Sequence, residues 1–267
     1  MAGPGVNGIR FCPLASGSSG NCVYVGLGGR NFLIDAGISG KRVQQSMERM
    51  KLPPVDGIFV THEHADHIQS VGVLARRFNI PVYTAPLTWR YVLRHKTIGP
   101  VPETMAVHIE PGKTTVIGGV SVSAFDVPHD ASQPVGYSFT VNGVKVTVAT
   151  DIGHATEELK INLRGSQVLL LESNHDTDML QNGRYPRELK ERVAGKRGHL
   201  SNAAAGALLA EVAHETLRYA FLGHLSEENN RPLLAMDTVL RVLEANKIKL
   251  PHISVAERHE PSEMVEL

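Results

Sequence analysis

The 267-residue sequence predicts an α/β fold in which two facing mixed sheets carry helices on their outer sides. Three observations lead there. Apolar runs of strand length outnumber the amphipathic stretches of helical length, helices interrupt the strands at similar places in each half, and no low-complexity linker divides the chain. A doubly wound sheet would meet the same pattern, so periodicity alone leaves that alternative open. With 42% hydrophobic residues the chain can bury a sizeable core, as one domain over residues 1–267 or as two fused halves.

The elements follow in order. Ile9 to Ala15, Asn21 to Gly26 and Arg30 to Ile34 read as strands, the last entered through the Leu27-Gly28-Gly29 turn. Gly40 to Met50 reads as a helix because Val43, Met47 and Met50 share a face. Gly57 to Val60 is an apolar strand. Asp66 to Asn79 reads as one helix, with Ile68, Val71, Leu74, Ala75 and Phe78 at helical spacing. Pro81 to Ala85 is a strand, and Pro86 to Thr97 a helix opened by its proline. Val107 to Ile109, Thr114 to Ile117 and Val120 to Val127 are strands, and Gly136 to Val148 is a hairpin turning at Asn142-Gly143, a type I′ signal. Glu157 to Leu163 is a short helix and Val168 to Leu171 a strand. Ser201 to His214 is a helix capped by Ser201, Tyr219 to Leu222 a strand, Pro232 to Asn246 a helix and Ile253 to Ala256 a last strand.

Composition narrows the function. Lysine and arginine balance aspartate and glutamate, giving a formal net charge of zero, so no global basic field drives nucleic-acid binding and any phosphate contact must be local. Cys12 and Cys22 have no metal-type spacing and read as buried strand thiols in a reducing, cytoplasmic setting. No apolar run has the length of a membrane helix, and Met1 to Gly8 lacks the basic start and apolar middle of a signal peptide, so no membrane contact is expected.

The chemistry concentrates in Thr61-His62-Glu63-His64-Ala65-Asp66-His67, directly after the Gly57 to Val60 strand. Imidazole nitrogens and carboxylate oxygens suit zinc, manganese or iron, and alternate residues in extended chain point the same way. His62 and His64 can therefore share one cation while Asp66 and His67 face a second. The alternative is an exposed polar turn in which the histidines cluster by chance.

His-x-His-x-Asp-His after an apolar strand resembles the signature of the metallo-β-lactamase superfamily. Further stations of that pattern follow at Asp35 in Phe32-Leu33-Ile34-Asp35-Ala36-Gly37, His129 in Val127-Pro128-His129-Asp130, Asp151 in Val148-Ala149-Thr150-Asp151 and His224 in Phe221-Leu222-Gly223-His224. Ala15-Ser16-Gly17-Ser18-Ser19-Gly20-Asn21, Leu171-Glu172-Ser173-Asn174-His175-Asp176, Gly198-His199-Leu200-Ser201-Asn202 and His224-Leu225-Ser226-Glu227-Glu228-Asn229-Asn230 resemble the YycJ/WalJ branch, whose bacterial members are associated with 5′-to-3′ exonuclease action on DNA. The resemblance implies an αββα sandwich and two divalent metal ions. It assigns His62, His64 and His129 to one metal and Asp66, His67 and His224 to the other, with Asp151 bridging; Asp66 then belongs to the catalytic centre as well. Asp35 would hold a ligand imidazole from behind, or merely cap the Ala36-Gly37 turn.

Phosphodiester hydrolysis is the reaction that most needs paired cations, and its leaving alkoxide needs a proton. In tRNA-processing relatives a histidine and a glutamate occupy places similar to His199 and Glu172, which makes His199 the expected donor and Glu172 its orienting partner. His199 could instead take the place of His224 as metal ligand, although it precedes a helix rather than following a strand, or help cap the helix at Ser201, and His154 and His175 compete for the acid role without a comparable partner. The Ser18, Ser19 and Asn21 loop has the composition of an anion nest, although such loops are usually plain turns. Arg187, Lys190, Lys196 and Arg197 lie in the most basic stretch, either a solvated helix face or a guide for a nucleic-acid backbone. Aromatic residues are only 5% of the chain, so recognition would rest on phosphates and shape rather than base stacking. The expected partner is nucleic acid, DNA before RNA. An RNA nuclease, a thioester or lactone hydrolase with the same ligands, and a regulatory binding protein with a vestigial site are the alternatives.

Overall fold

The computed structural model describes residues 8–95, 98–249 and 251–267. The first part runs β1 (Arg10–Ala15), β2 (Cys22–Leu27), β3 (Arg30–Ile34), α1 (Gly40–Arg49), β4 (Gly57–Val60), α2 (Ala65–Ile68), α3 (Val71–Phe78), β5 (Val82–Thr84), α4 (Pro86–Val92), β6 (Ala106–His108), β7 (Thr114–Ile117) and β8 (Val120–Asp126). There follow β9 (Val135–Val141), β10 (Val144–Ala149), α5 (Glu157–Leu163), β11 (Val168–Glu172), α6 (Thr177–Asn182), α7 (Arg187–Val193), α8 (Asn202–Val212), β12 (Tyr219–Gly223), α9 (Pro232–Ala245), β13 (His252–Val255) and β14 (Val265–Glu266). Two mixed seven-stranded sheets result, ordered β14-β1-β2-β3-β4-β5-β6 and β13-β12-β11-β10-β9-β8-β7.

The described residues gather into two compact units, one within 1–124, 131–135 and 257–267 and the other within 125–130 and 136–256. In the first, β1 to β3 form an antiparallel meander, after which β4, β5 and β6 continue in parallel from β3. Its core packs Leu14, Tyr24, Leu33, Ile58 and Val60 against the apolar faces of α1 and α3, including Val43, Met47, Val71 and Leu74. In the second, β9 and β10 are an antiparallel hairpin and β10 to β13 run parallel. Leu169, Leu171, Ala220 and Leu222 there meet Leu208, Leu209, Val239 and Leu243. Both units thus carry parallel strands whose carboxyl ends open into loops, the places where such sheets present functional groups.

Most expected elements form, for the reasons that predicted them. Asn142 and Gly143 turn the hairpin with φ of 49° and 78°, as a type I′ turn requires. Ser201 caps α8, its hydroxyl accepting from the Ala204 N–H at 3.2 Å. Cys12 and Cys22 are buried free thiols in β1 and β2. Among the described residues no helix is long and apolar enough to cross a membrane. The signal-peptide reading over Met1 to Gly8 falls almost wholly outside the described residues.

Three expectations need correction. The single helix from Asp66 to Asn79 is two, α2 and α3, because its ladder bonds are diverted. The Asp66 carbonyl accepts from Asn21 N, the His67 carbonyl from Ala36 N, and Ser70 N donates to the Ala36 carbonyl, each at 2.8 Å. The helix from Pro86 stops at Val92, and the predicted end at Lys96 and Thr97 lies outside the described residues. Helices α6 and α7 and strand β14 are additions to the expected elements; α7 buries no residue at all and α6 only Leu180, so neither shows an apolar stripe.

Candidate functional site

In the first unit the site residues leave the ends of β3 and β4. Asp35 follows β3 at φ 59°, a left-handed turn that few non-glycine residues adopt and that aspartate enters more readily than most. Its Oδ1 accepts from the Thr61 N–H at 2.8 Å and its Oδ2 from the Thr61 hydroxyl at 2.9 Å. The same Oδ2 lies 2.7 Å from His67 Nδ1. This carboxylate is buried, which pushes its pKa up, while His67 and the Thr61 donors pull it back. The Thr61 hydroxyl, spent on Asp35, can only accept from His62 Nδ1 at 3.1 Å. Both His62 and His67 thereby carry their proton on Nδ1 and turn Nε2 outward as a lone pair.

These imidazoles converge. The His62 ring centroid lies 4.6 Å from that of His64 and 4.1 Å from that of His67, and Asp66 Oδ2 is 3.4 Å from His67 Nε2. Asn21 braces the group, its amide lying 3.1 Å from His67 Nε2 and 3.3 Å from Asp66 Oδ2. The loop before it is largely self-satisfied. Gly17 N–H donates to Asn21 Oδ1 and Gly20 N–H to the Gly17 carbonyl, which leaves the exposed Ser18 and Ser19 as its outward face. Gly37 is required here because a Cβ on it would fall 1.6 Å from the Asp66 carbonyl oxygen.

In the second unit His129 lies in the 125–130 segment, and β10, β11 and β12 deliver Asp151, Glu172 and His224. Asp151 and His224 also sit at positive φ, 61° and 53°. Asp151 Oδ1 is 3.6 Å from His224 Nε2 and 3.7 Å from His129 Nε2. Ligand atoms roughly 2.0–2.2 Å from a tetrahedral zinc lie about 3.3–3.6 Å apart, so these separations suit donors that share a cation. His129 Nδ1 lies 3.1 Å from the Gly198 carbonyl, which fixes its proton there and presents Nε2. Buried imidazoles and carboxylates are the donor set that a borderline cation such as zinc prefers, and both units supply one.

Glu172 organises the second unit. Fully buried, it accepts from Ile152 N at 2.7 Å and Leu200 N at 3.0 Å through Oε2, and its Oε1 lies 2.8 Å from His199 Nδ1 and 3.0 Å from His224 Nδ1. Burial alone would raise its pKa, but His199 and His224 hold it well below the usual carboxylate range. The partnership with His199 is the one expected from the sequence; the one with His224 is a finding of the structure. Register could have revealed it, since Glu172 pairs with Gly223 across β11 and β12 and so lies beside the next residue, His224. His199 is opposed by burial, yet Glu172 wins and its pKa is raised. It keeps 19% side-chain exposure, whereas His175 is buried and pushed down to about 4 by that burial. His154 is exposed and held by the Lys196 carbonyl at 2.8 Å.

The basic stretch is spread along α7 and the loop after it. Arg187 is exposed and pairs with Glu191 at 2.6 Å, and Lys190 donates to the Gln181 carbonyl at 2.7 Å. Lys196 is exposed, and Arg197 donates through Nε and Nη2 to the His129 carbonyl at 3.0 and 2.8 Å. Arg192 meets Asp130 at 2.5 Å, and Asp130 Oδ1 lies 3.3 Å from His129 Nε2, so the basic segment also braces the loop of that histidine.

Residues 30–225 match the Beta-lactamase superfamily domain. Exodeoxyribonuclease YycJ of Bacillus anthracis is 39% identical over 239 residues, 89% of this chain and 90% of that protein. Exodeoxyribonuclease WalJ of Streptococcus pneumoniae serotype 2 is 35% identical over 238 residues, 88% of each. Among solved structures, the metallo-β-lactamase fold protein YhfI of Bacillus subtilis superposes with a TM-score of 0.71 at 14% identity, covering 98% of this chain and 100% of that one. Sequence and fold agree that the chain belongs to the metallo-β-lactamase superfamily, close to its YycJ and WalJ exodeoxyribonucleases.

Proposed function

We propose that the protein is a two-metal phosphodiesterase that hydrolyses DNA from the 5′ end, acting as one domain in the cytoplasm. One observation carries the reading. A chain 39% identical to an exodeoxyribonuclease over nearly its full length places ligand-type side chains at successive strand ends, with their Nδ1 protons fixed from behind. On this reading His62, His64 and His129 hold one cation and Asp66, His67 and His224 the other, Asp151 serving both; zinc, manganese and iron all fit such donors. Bound there, the cations supply a water of lowered pKa and neutralise charge at phosphorus.

The chain's own groups do the rest. Asp35 and Glu172 keep His67 and His224 in the tautomer that offers Nε2. His199, raised in pKa by Glu172 and still partly exposed, carries the proton that the leaving oxygen takes. Arg187, Lys190, Lys196 and Arg197 guide the phosphate backbone, and the exposed Ser18 and Ser19, in the loop that Asn21 closes, meet a phosphate of the substrate. Buried free Cys12 and Cys22 suit a reducing compartment.

The test is digestion of end-labelled duplex DNA, single-stranded DNA and RNA, with and without a 5′ phosphate, in zinc, manganese or iron. Stepwise release of short products from the 5′ end of DNA is expected. Preferential RNA cleavage would make the protein an RNA nuclease of the same chemistry, and turnover of thioesters or lactones without nucleic-acid cleavage would replace the reading altogether.

A further inference from the structure

Three sequence segments have no part in the chemistry so far: Ser173-Asn174 beyond β11, Ser201-Asn202 at the start of α8, and Ser226 to Asn230 ahead of α9. The structure brings them together as a buried amide network. Ser173, Asn174, Asn202, Ser226 and Asn230 are each at most 5% exposed. Asn202 and Asn230 form a reciprocal pair, Nδ2 to Oδ1 at 3.0 Å one way and 2.9 Å the other. The Ser173 hydroxyl adds a bond to Asn202 Oδ1 at 2.7 Å. Asn230 has only two amide hydrogens. With one spent on Asn202, the other is shared between the carbonyls of Ser173 and Asn174, both at 2.9 Å.

The network ends on a ligand. Asn174 is fixed from both sides, its N–H donating to the Leu200 carbonyl at 2.9 Å and its own carbonyl accepting from Ser226 N at 2.8 Å. Its side-chain amide donates to the His224 carbonyl at 2.9 Å. His224 is the residue that leaves β12 in the left-handed region at φ 53°, a conformation that persists in a non-glycine residue only where neighbours hold it. We infer that the Asn174, Asn202 and Asn230 amides are positioning residues that hold the backbone of His224 in this turn, so that its imidazole meets Glu172 and its cation in one fixed orientation. Glu172 sets the tautomer of the ring; the amides set where the ring is. The inference rests on the proposed role of His224 as a metal ligand.

Metal binding tests it without recourse to turnover. Metal-free wild type, Asn174→Ala, Asn174→Asp and the control Asn246→Ala are titrated with Zn²⁺ by calorimetry and with Co²⁺ by visible absorption. Asn246 is exposed, and its amide donates to the Val242 carbonyl at the end of α9. Asn174→Asp keeps the shape but sets an oxygen against the His224 carbonyl. Both Asn174 variants are expected to bind one of two cations 10–100-fold more weakly, the scale seen when a group behind a ligand is removed, with an altered Co²⁺ spectrum and the other cation retained. Wild-type affinity for both cations in Asn174→Ala would overturn the inference. So would equal weakening of both, or failure of both variants to fold, since the network would then serve the fold alone. Wild type that binds fewer than two cations would instead remove the two-metal reading beneath it.

Discussion

Glu172→Gln is the sharpest perturbation of this structure because it keeps the shape of a fully buried side chain and removes only its charge and one acceptor. The carboxylate has four donors around it, two backbone N–H groups on Oε2 and the Nδ1 atoms of His199 and His224 on Oε1. A glutamine can satisfy the backbone pair only by turning its NH₂ toward the histidines, where it meets two N–H groups. Each histidine must then move its proton to Nε2 or lose its bond. For His224 the shift would place hydrogen on the atom that faces Asp151 at 3.6 Å and is offered to a cation. Removing one partner of a buried charged cluster costs about 3–5 kcal/mol, and disturbing the group behind a ligand costs about 10–100-fold in metal affinity. Urea unfolding of the metal-free protein reads the first and Zn²⁺ titration the second. A variant with wild-type stability and wild-type Zn²⁺ affinity would refute the role given to Glu172.

Asp35→Asn is the matching test in the first unit. Asparagine tolerates the positive φ, but its one oxygen cannot serve both the Thr61 N–H and His67 Nδ1, so its NH₂ faces one of these donors and metal affinity is expected to fall by about 10–100-fold in the same titration. The thiols should be silent in the native state. Burial pushes Cys12 to about 12 and Cys22 higher still, so Ellman's reagent should detect neither until urea is added; rapid labelling of the native protein would contradict their burial. If α7 guides a phosphate backbone, Arg187→Glu with Lys190→Glu should weaken DNA binding at low salt and lower the slope of log affinity against log salt by about 1 for each phosphate that is no longer neutralised. Unchanged binding and slope would make this stretch a solvated helix face.

Much of this was legible in the sequence because the signals are local. The Gly57 to Val60 run, the histidines after it, the Asn142-Gly143 turn and the Ser201 cap each depend on a few adjacent residues. What escaped depends on distant partners. Periodicity joins α2 to α3, since it cannot see that Asn21 and Ala36 take the carbonyls of Asp66 and His67 and that Ala36 also receives Ser70 N–H. It misses α7, which buries nothing. The left-handed turns at Asp35, Asp151 and His224 are hidden because none is glycine; only hydrogen bonds made across the fold reveal what holds Asp35 and His224 there. The pairing of His199 with Glu172 is readable through family resemblance, whereas the second bond of Glu172, to His224, needs the register of β11 on β12.

Reconstitution tests metal-dependent hydrolysis of DNA through Asp151 most directly. Protein stripped with a chelator is offered duplex DNA labelled at the 5′ end, divalent metal is added back, and product length is followed over time beside Asp151→Ala. No cleavage is expected before metal, mononucleotide or short 5′ products after it, and no recovery in the variant. Cleavage that survives the chelator, or that persists undiminished in Asp151→Ala with metal present, would contradict metal-dependent hydrolysis through Asp151.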